Sequence, residues 1–202
     1  MKLMLDLFSG LGGASEAFMD HDGWQVTRFE NNPDLGWVLN TKLIDVEKLI
    51  QTHPPGGLHG AFELIWASPP CLDFSRAFSA PGPVALREGR DFEPDMKLVE
   101  AAKRIIDELQ PKYWVIENVR GAIPHFEKLL GKPRQIIHDR WILWGNFPLL
   151  CVNPDWNVGR WHKQQIWGTE ELAMNKRSLI PIEISEAMLS AIENQTVLSD
   201  WI

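Results

Sequence analysis

The chain predicts an α/β fold, a mostly parallel sheet with helices on both faces, and three observations predict it. Lys2 to Phe8 is a short apolar run that passes into Ser9-Gly10-Leu11-Gly12-Gly13 and then into a helical stretch, Ala14 to Met19. Strand, glycine turn and helix in that order open a nucleotide-binding βαβ unit. A second apolar run, Phe62 to Ala67, is stopped by Ser68-Pro69-Pro70 and at once displays Cys71. Proline cannot donate a ladder hydrogen bond, so the strand ends there, at the sheet edge where open α/β folds place their chemistry. Third, a helical stretch over Pro94 to Leu109 leads into strand Tyr113 to Ile116, which delivers Glu117-Asn118-Val119 at its end.

The remaining elements fall into order around these. Strand Trp24 to Phe29 ends in Glu30-Asn31, about 20 residues past the glycine turn, where a carboxylate is suited to gripping ribose hydroxyls. The bland alternative is a solvated strand-end acid. A helix is expected over Pro33 to Asn40 and a third strand over Leu43-Ile44-Asp45, with Asp45 at its tip. His53 to Gly60 reads as a Pro/Gly-rich loop. The stretch from Arg76 to Glu93, rich in Gly, Pro and charge, is long for a structureless connection and is expected to be a lid over Cys71. Ala122 to Leu130 should be helical, Arg140 precedes a strand over Trp141 to Trp144 that Gly145 ends, and Cys151 to Asn175 is an irregular excursion. A helix over Ile182 to Ile192 and a polar tail close the chain.

Composition bounds the function. The chain has 202 residues, enough for one domain with its own core, and 45% hydrophobic with 23% charged residues is ordinary for a globular protein. No apolar run approaches the ~20 residues needed to span a bilayer, and no secretion signal is seen, so an intracellular setting without membrane contact is expected. Two cysteines, Cys71 and Cys151, make neither a disulfide framework nor a metal-ligand pattern. A formal net charge of −7 argues against a strongly electrostatic, non-specific nucleic-acid binder. For a single cysteine the default is burial in a core; the carboxylate emerging from an apolar strand at Glu117 is a candidate for a raised pKa.

Taken together, these residues resemble the cytosine-5 DNA methyltransferases. Asp6-Leu7-Phe8-Ser9-Gly10-Leu11-Gly12-Gly13 is similar to the family's cofactor motif, and Glu30, Asn31 and Asp45 fall at its ribose and adenine contacts. Ser68-Pro69-Pro70-Cys71 with Phe74-Ser75 resembles the nucleophile motif. Glu117-Asn118-Val119 resembles the motif whose glutamate contacts the target cytosine, and Leu98 fits the segment between the two. The resemblance implies a Rossmann-like S-adenosylmethionine-dependent fold. It implies Cys71, Glu117 and Arg140 as catalytic residues. Asp6, Phe8, Ser9, Gly10, Leu11, Gly12, Gly13, Glu30, Asn31, Asp45, Pro69 and Leu98 would lie at the cofactor, and Ser68, Pro70, Phe74, Ser75, Asn118 and Val119 at the substrate.

Departures gather beyond residue 120. The family's Gln-x-Arg-x-Arg pattern stands here as Ile136-Ile137-His138-Asp139-Arg140, so only Arg140 matches an arginine. Its C-terminal Gly-Asn is replaced by Arg177-Ser178, although Leu179-Ile180-Pro181 and the following helix resemble the remainder. The target-recognition region is nearly missing, with residues 145–176 as a reduced remnant. Trp156, Arg160, Trp161, His162 and Lys163 are either a small nucleic-acid surface or packing. The reading is a compact methyltransferase of phage or restriction-modification type that flips a cytosine of DNA, single strands being easier for so small a surface. Specificity would then come from a partner protein or an oligomer. The rivals are an enzyme modifying a free cytosine nucleotide or RNA, or transferring another group, and a non-catalytic cofactor-binding module.

Overall fold

The computed structural model describes residues 1–52, 58–153 and 173–195. A seven-stranded sheet carries β1 (Lys2–Leu7), β2 (Trp24–Glu30), β3 (Thr41–Leu43), β4 (Leu64–Ala67), β5 (Tyr113–Asn118), β6 (Gln135–Ile137) and β7 (Trp141–Asn146) in the order β3-β2-β1-β4-β5-β7-β6. The first five strands run parallel and β7 runs against β5 and β6. Order reverses between β1 and β4, and that switch point is where an open α/β sheet leaves a crevice at its carboxyl edge. Five strand ends, from Leu7 to Asn118, therefore face one rim, and the antiparallel β7 brings its first residues to the same rim.

Helices α1 (Glu16–Met19), α2 (Val46–Thr52), α3 (Pro81–Arg87), α4 (Lys97–Leu109), α5 (Ile123–Leu130), α6 (Ala173–Arg177) and α7 (Ile182–Glu193) complete the described chain. Because β1, β4 and β5 are covered on both faces, they read as continuous apolar runs rather than alternating ones. One core layer joins Phe18, Trp66, Val115 and Leu143 to Ile184 and Met188 of α7. The opposite layer joins Leu5, Ile65 and Ile116 to Val99, Ala102, Ile105 and Ile106 of α4 and to Phe126 of α5. Helix α4 earns that place from its period: Val99, Ala102, Ile105, Ile106 and Leu109 make one buried stripe.

Several expected elements are corrected. Residues 33–40 form only a 3-10 turn, Pro33–Leu35, capped by Asn32 Oδ1 accepting from the Asp34 amide. The proline and the helix-weak Asn-Asn-Pro-Asp start favour a capped turn over a helix. The third strand sits at Thr41–Leu43, ahead of the expected Leu43–Asp45, and Asp45 instead accepts from the Glu47 amide to start the unforeseen helix α2. The stretch 76–93 is not structureless: Pro81 begins α3, which buries Ala80 and Ala85. β7 runs through Gly145 to Asn146, since Gly145 pairs with Val115. The excursion is shorter than expected, Ala173–Arg177 being helical. Strand β6 was missed because three residues are too few for a period. His138 and Asp139 both adopt positive φ within the three-residue turn 138–140, where the Arg140 amide donates to the Ile137 carbonyl at 3.1 Å, and so fold β6 onto β7. Trp156, Arg160, Trp161, His162 and Lys163 lie outside the described residues, as does part of the loop expected over 53–60.

Candidate active site

Two turns meet at the switch point. The glycine turn leaves β1 and the Pro-Pro-Cys turn leaves β4, joined by the Ser68 amide donating to the Leu7 carbonyl at 3.1 Å. On the glycine side, Phe8 takes a positive φ of 57°, an unusual posture for a non-glycine that stores strain at the rim. Glu30, at the tip of β2, accepts the Gly10 amide on Oε2 at 2.8 Å and the Asn31 and Asn32 amides on Oε1, both at 2.9 Å. Gly13 is required by close approach: a Cβ there would fall 2.2 Å from the Ile180 carbonyl oxygen. Leu179 and Ile180 thus seat against the turn.

Beneath the turn, Asp6 is fully buried. Ser15 Oγ donates to its Oδ2 at 2.6 Å while its Oδ1 has no hydrogen-bond partner among the described residues, and burial pushes its pKa up to about 6. The buried Ser9 hydroxyl is also unpartnered. Unspent buried polar atoms are costly unless a ligand or solvent meets them, so the residues of this turn fit a polar nucleoside cofactor. Asp45 lies two residues beyond β3, its carboxylate 3.0 Å from Lys48, which holds its pKa below the usual carboxylate range. Leu98 lies half-buried in the first turn of α4.

On the other side, Cys71 is partly buried and Glu117 is 8% exposed. Trp66 Nε1 donates to Ser68 Oγ at 2.9 Å, leaving the Ser68 proton for the Glu117 carboxylate. Burial nevertheless raises the Glu117 pKa to about 8, against the opposing pull of Ser68 and of the Arg140 guanidinium, so Glu117 carries its proton at neutral pH. Burial also pushes the Cys71 thiol up, and the Glu117 charge pushes it further. A neutral Glu117 removes that second penalty, while burial still holds Cys71 as a thiol that must give up its proton before it can attack. Arg140 feels the Glu117 charge and stacks 5.0 Å from the Trp141 ring centre.

Three contacts hold the Cys71 and Glu117 arms in register. Asn118 Nδ2 donates to the Pro69 carbonyl at 2.9 Å while its Oδ1 accepts the Val119 amide at 2.9 Å. The buried Phe74 ring meets Phe126 edge-on at 4.9 Å. Gly121 passes so close to Phe74 that a Cβ would lie 1.9 Å from its carbonyl oxygen. Pro70 faces solvent, Pro69 is buried, and Ser75 Oγ accepts the Ala77 amide at 3.2 Å. Past the site, Arg120 pairs with Asp139, tying the hairpin turn before Arg140 to the loop after Glu117.

The expected residues therefore form two groups at one rim, with Asp45 and Leu98 at its margins. Sequence reasoning missed Gly121, whose contact partner lies 47 residues away and leaves no local signal. It also missed Arg28, which had one: Trp24, Val26 and Arg28 share a strand face, placing a charge at a core position.

The family model for C-5 cytosine-specific DNA methylases matches residues 3–137. The chain belongs to that family. No curated protein is similar enough to this chain to match it. Among solved structures, the chain resembles a protein described as a DNA modification methyltransferase encoded within a prophage of E. coli, 19% identical with a TM-score of 0.42, over 72% of this chain and 47% of that one. It also resembles the Entamoeba histolytica methyltransferase EhMeth, 15% identical with a TM-score of 0.46, over 72% and 53%. Human methyltransferase-like protein 13, in complex with SAH, is 15% identical with a TM-score of 0.43, over 100% and 89%. The first two matches extend over about half the length of those proteins. Among the described residues no helix is long and apolar enough to cross a membrane.

Proposed function

We propose that this methylase transfers a methyl group to C5 of cytosine in DNA, with Cys71 as nucleophile. The observation that carries the reading is the pairing of a thiol with a carboxyl that keeps its proton at neutral pH, under the guanidinium of Arg140. Cytosine C5 is a poor nucleophile. Addition of the Cys71 thiolate to C6 makes C5 an enamine carbon, the usual gain of covalent catalysis. Glu117 donates to N3 and so draws off the charge the addition creates, while Arg140 faces the charge at O2. Loss of the C5 proton and expulsion of Cys71 restore the ring.

S-adenosylmethionine, when bound, supplies the methyl group. Glu30, Asn31 and the turn from Phe8 to Gly13 would hold its nucleoside, with Asp6 and Ser9 offering their unspent oxygens. The stretch 76–93 would close over the flipped base. Its two ends are already tied, Asp73 Oδ2 accepting the Asp95 amide at 3.1 Å, so α3 moves as one flap about that tie. With only residues 145–176 standing where a target-recognition region would lie, the chain would take target specificity from a partner protein or a second copy.

The test is transfer of radiolabelled methyl from S-adenosylmethionine to duplex DNA, single-stranded DNA, RNA and dCMP, by wild type and Cys71→Ala. Label in DNA with wild type alone supports the proposal, and Cys71→Ala should retain cofactor binding. Label in RNA or dCMP instead, or undiminished transfer by Cys71→Ala, overturns it.

A further inference from the structure

The glycine turn rests on a buried arginine that the proposed chemistry leaves unused. Arg28 pairs with Asp6 across β1 and β2 and is 2% exposed. Its guanidinium fork reaches three separate pieces of chain. Nε donates to Ser15 Oγ at 2.8 Å, Nη2 to the Gly12 carbonyl at 3.0 Å and to Glu16 Oε2 at 2.9 Å, and Nη1 to the Leu39 carbonyl at 3.0 Å. Ser15 passes the connection on to Asp6. A side chain at Gly12 would fall 2.4 Å from Arg28 Cζ, so the turn is moulded on this guanidinium.

Residues 31–40, which lack a helix, depend on the same group. The Arg28 amide donates to the Asn40 carbonyl at 3.0 Å while its side chain binds Leu39, so one residue anchors the return to β3. The turn carrying Gly10 to Gly13 and the connection carrying Asn31 and Asn32 form two sides of the rim around Glu30.

We propose that Arg28 is a positioning residue for the cofactor, fixing the glycine turn and the β2–β3 connection as the two walls of its site. The inference rests on reading that rim as the S-adenosylmethionine site. Planar donors aimed in several directions are what only arginine supplies. A lysine in its place keeps the charge but concentrates its donors on one nitrogen.

The experiment titrates S-adenosylhomocysteine into wild type, Arg28→Lys and Glu16→Gln by calorimetry, with thermal unfolding in parallel. Arg28→Lys should weaken binding roughly tenfold or more, since it loses several charge-assisted hydrogen bonds. In methyl transfer the loss should fall on KM for the cofactor rather than on kcat. Where Arg28→Lys does not fold, Glu16→Gln decides. Its half-exposed side chain can change without opening the core, and it frees Nη2 from its carboxylate. It should weaken binding several-fold at an unchanged Tm. Wild-type affinity in the folded variant, or full rescue by lysine, overturns the inference. Wild type that binds no S-adenosylhomocysteine overturns the cofactor reading itself.

Discussion

Replacing Glu117 by glutamine isolates the feature on which the proposed chemistry depends, a carboxyl kept neutral by its surroundings. Its pKa rises from 4.5 to about 8, chiefly through burial. At 1.36 kcal/mol per unit, the full rise corresponds to a penalty on the order of 5 kcal/mol against the folded state with Glu117 ionised in the unfolded one. The sign follows from proton counts. Between the two pKa values the native protein holds a proton that the unfolded chain has released, so stability falls as pH rises through that window and levels off above about 8. Asp6 contributes in the same direction, but its pKa of about 6 ends its window there. From pH 6 to 8 Glu117 alone of the two sets the slope.

Urea unfolding followed by tryptophan fluorescence at pH 6, 7 and 8 reads this directly. Wild type should lose about 2 kcal/mol across that range relative to Glu117→Gln. Groups that do not interact with Glu117 contribute equally to both proteins and cancel in the difference. The same titration should appear in turnover, as a fall in wild-type kcat/KM above pH 8 when Glu117 loses its proton. Parallel stability curves, with a difference below about 0.5 kcal/mol, would show that Glu117 ionises near its ordinary value. The proton donor assigned to N3 would then be lost.

Two substitutions test how the rim is held. Gly121→Ala sets a methyl group 1.9 Å from the Phe74 carbonyl oxygen and must part the two loops bearing Cys71 and Glu117. It should cost about 1–3 kcal/mol in urea unfolding and lower kcat more than it raises cofactor KM; an unchanged kcat would sever the link between this contact and the site. Ser185→Ala removes the buried hydroxyl that donates to the Ala14 carbonyl at 2.8 Å and accepts the Ala17 amide at 3.1 Å. It should lower stability by about 1–3 kcal/mol while Glu117→Gln and wild type keep the same pH-dependent difference in its background.

What the sequence disclosed and what it hid divide along a physical line. Pro69-Pro70 ending β4, the period of α4 and Glu117 closing β5 are decided by residues within a few positions of one another, and each stood in the chain in plain view. A helix was expected over 33–40, but Asn32-Pro33-Asp34 caps a tight turn and Arg28 secures the rest. The short strand β6 has no readable period and exists because the His138-Asp139 turn folds it onto β7. Gly121 and Asn118 act through backbone groups of a loop some 50 residues earlier. Such contacts are set by the register of β4 against β5, which no single stretch encodes.

Neighbouring strands also bring the two turns of the rim together. β1 and β4 are neighbours, so the turn read as the cofactor site and the turn bearing Cys71 are joined by one backbone hydrogen bond, Ser68 to Leu7, rather than across a domain interface. Helix α7 then closes the far side of the cofactor turn. Ile180 fills the place a side chain on Gly13 would take, Ser185 bonds Ala14 and Ala17, and Ile184 and Met188 enter the core beside Phe18. The two proposed reaction partners are therefore presented by adjacent strands of one sheet.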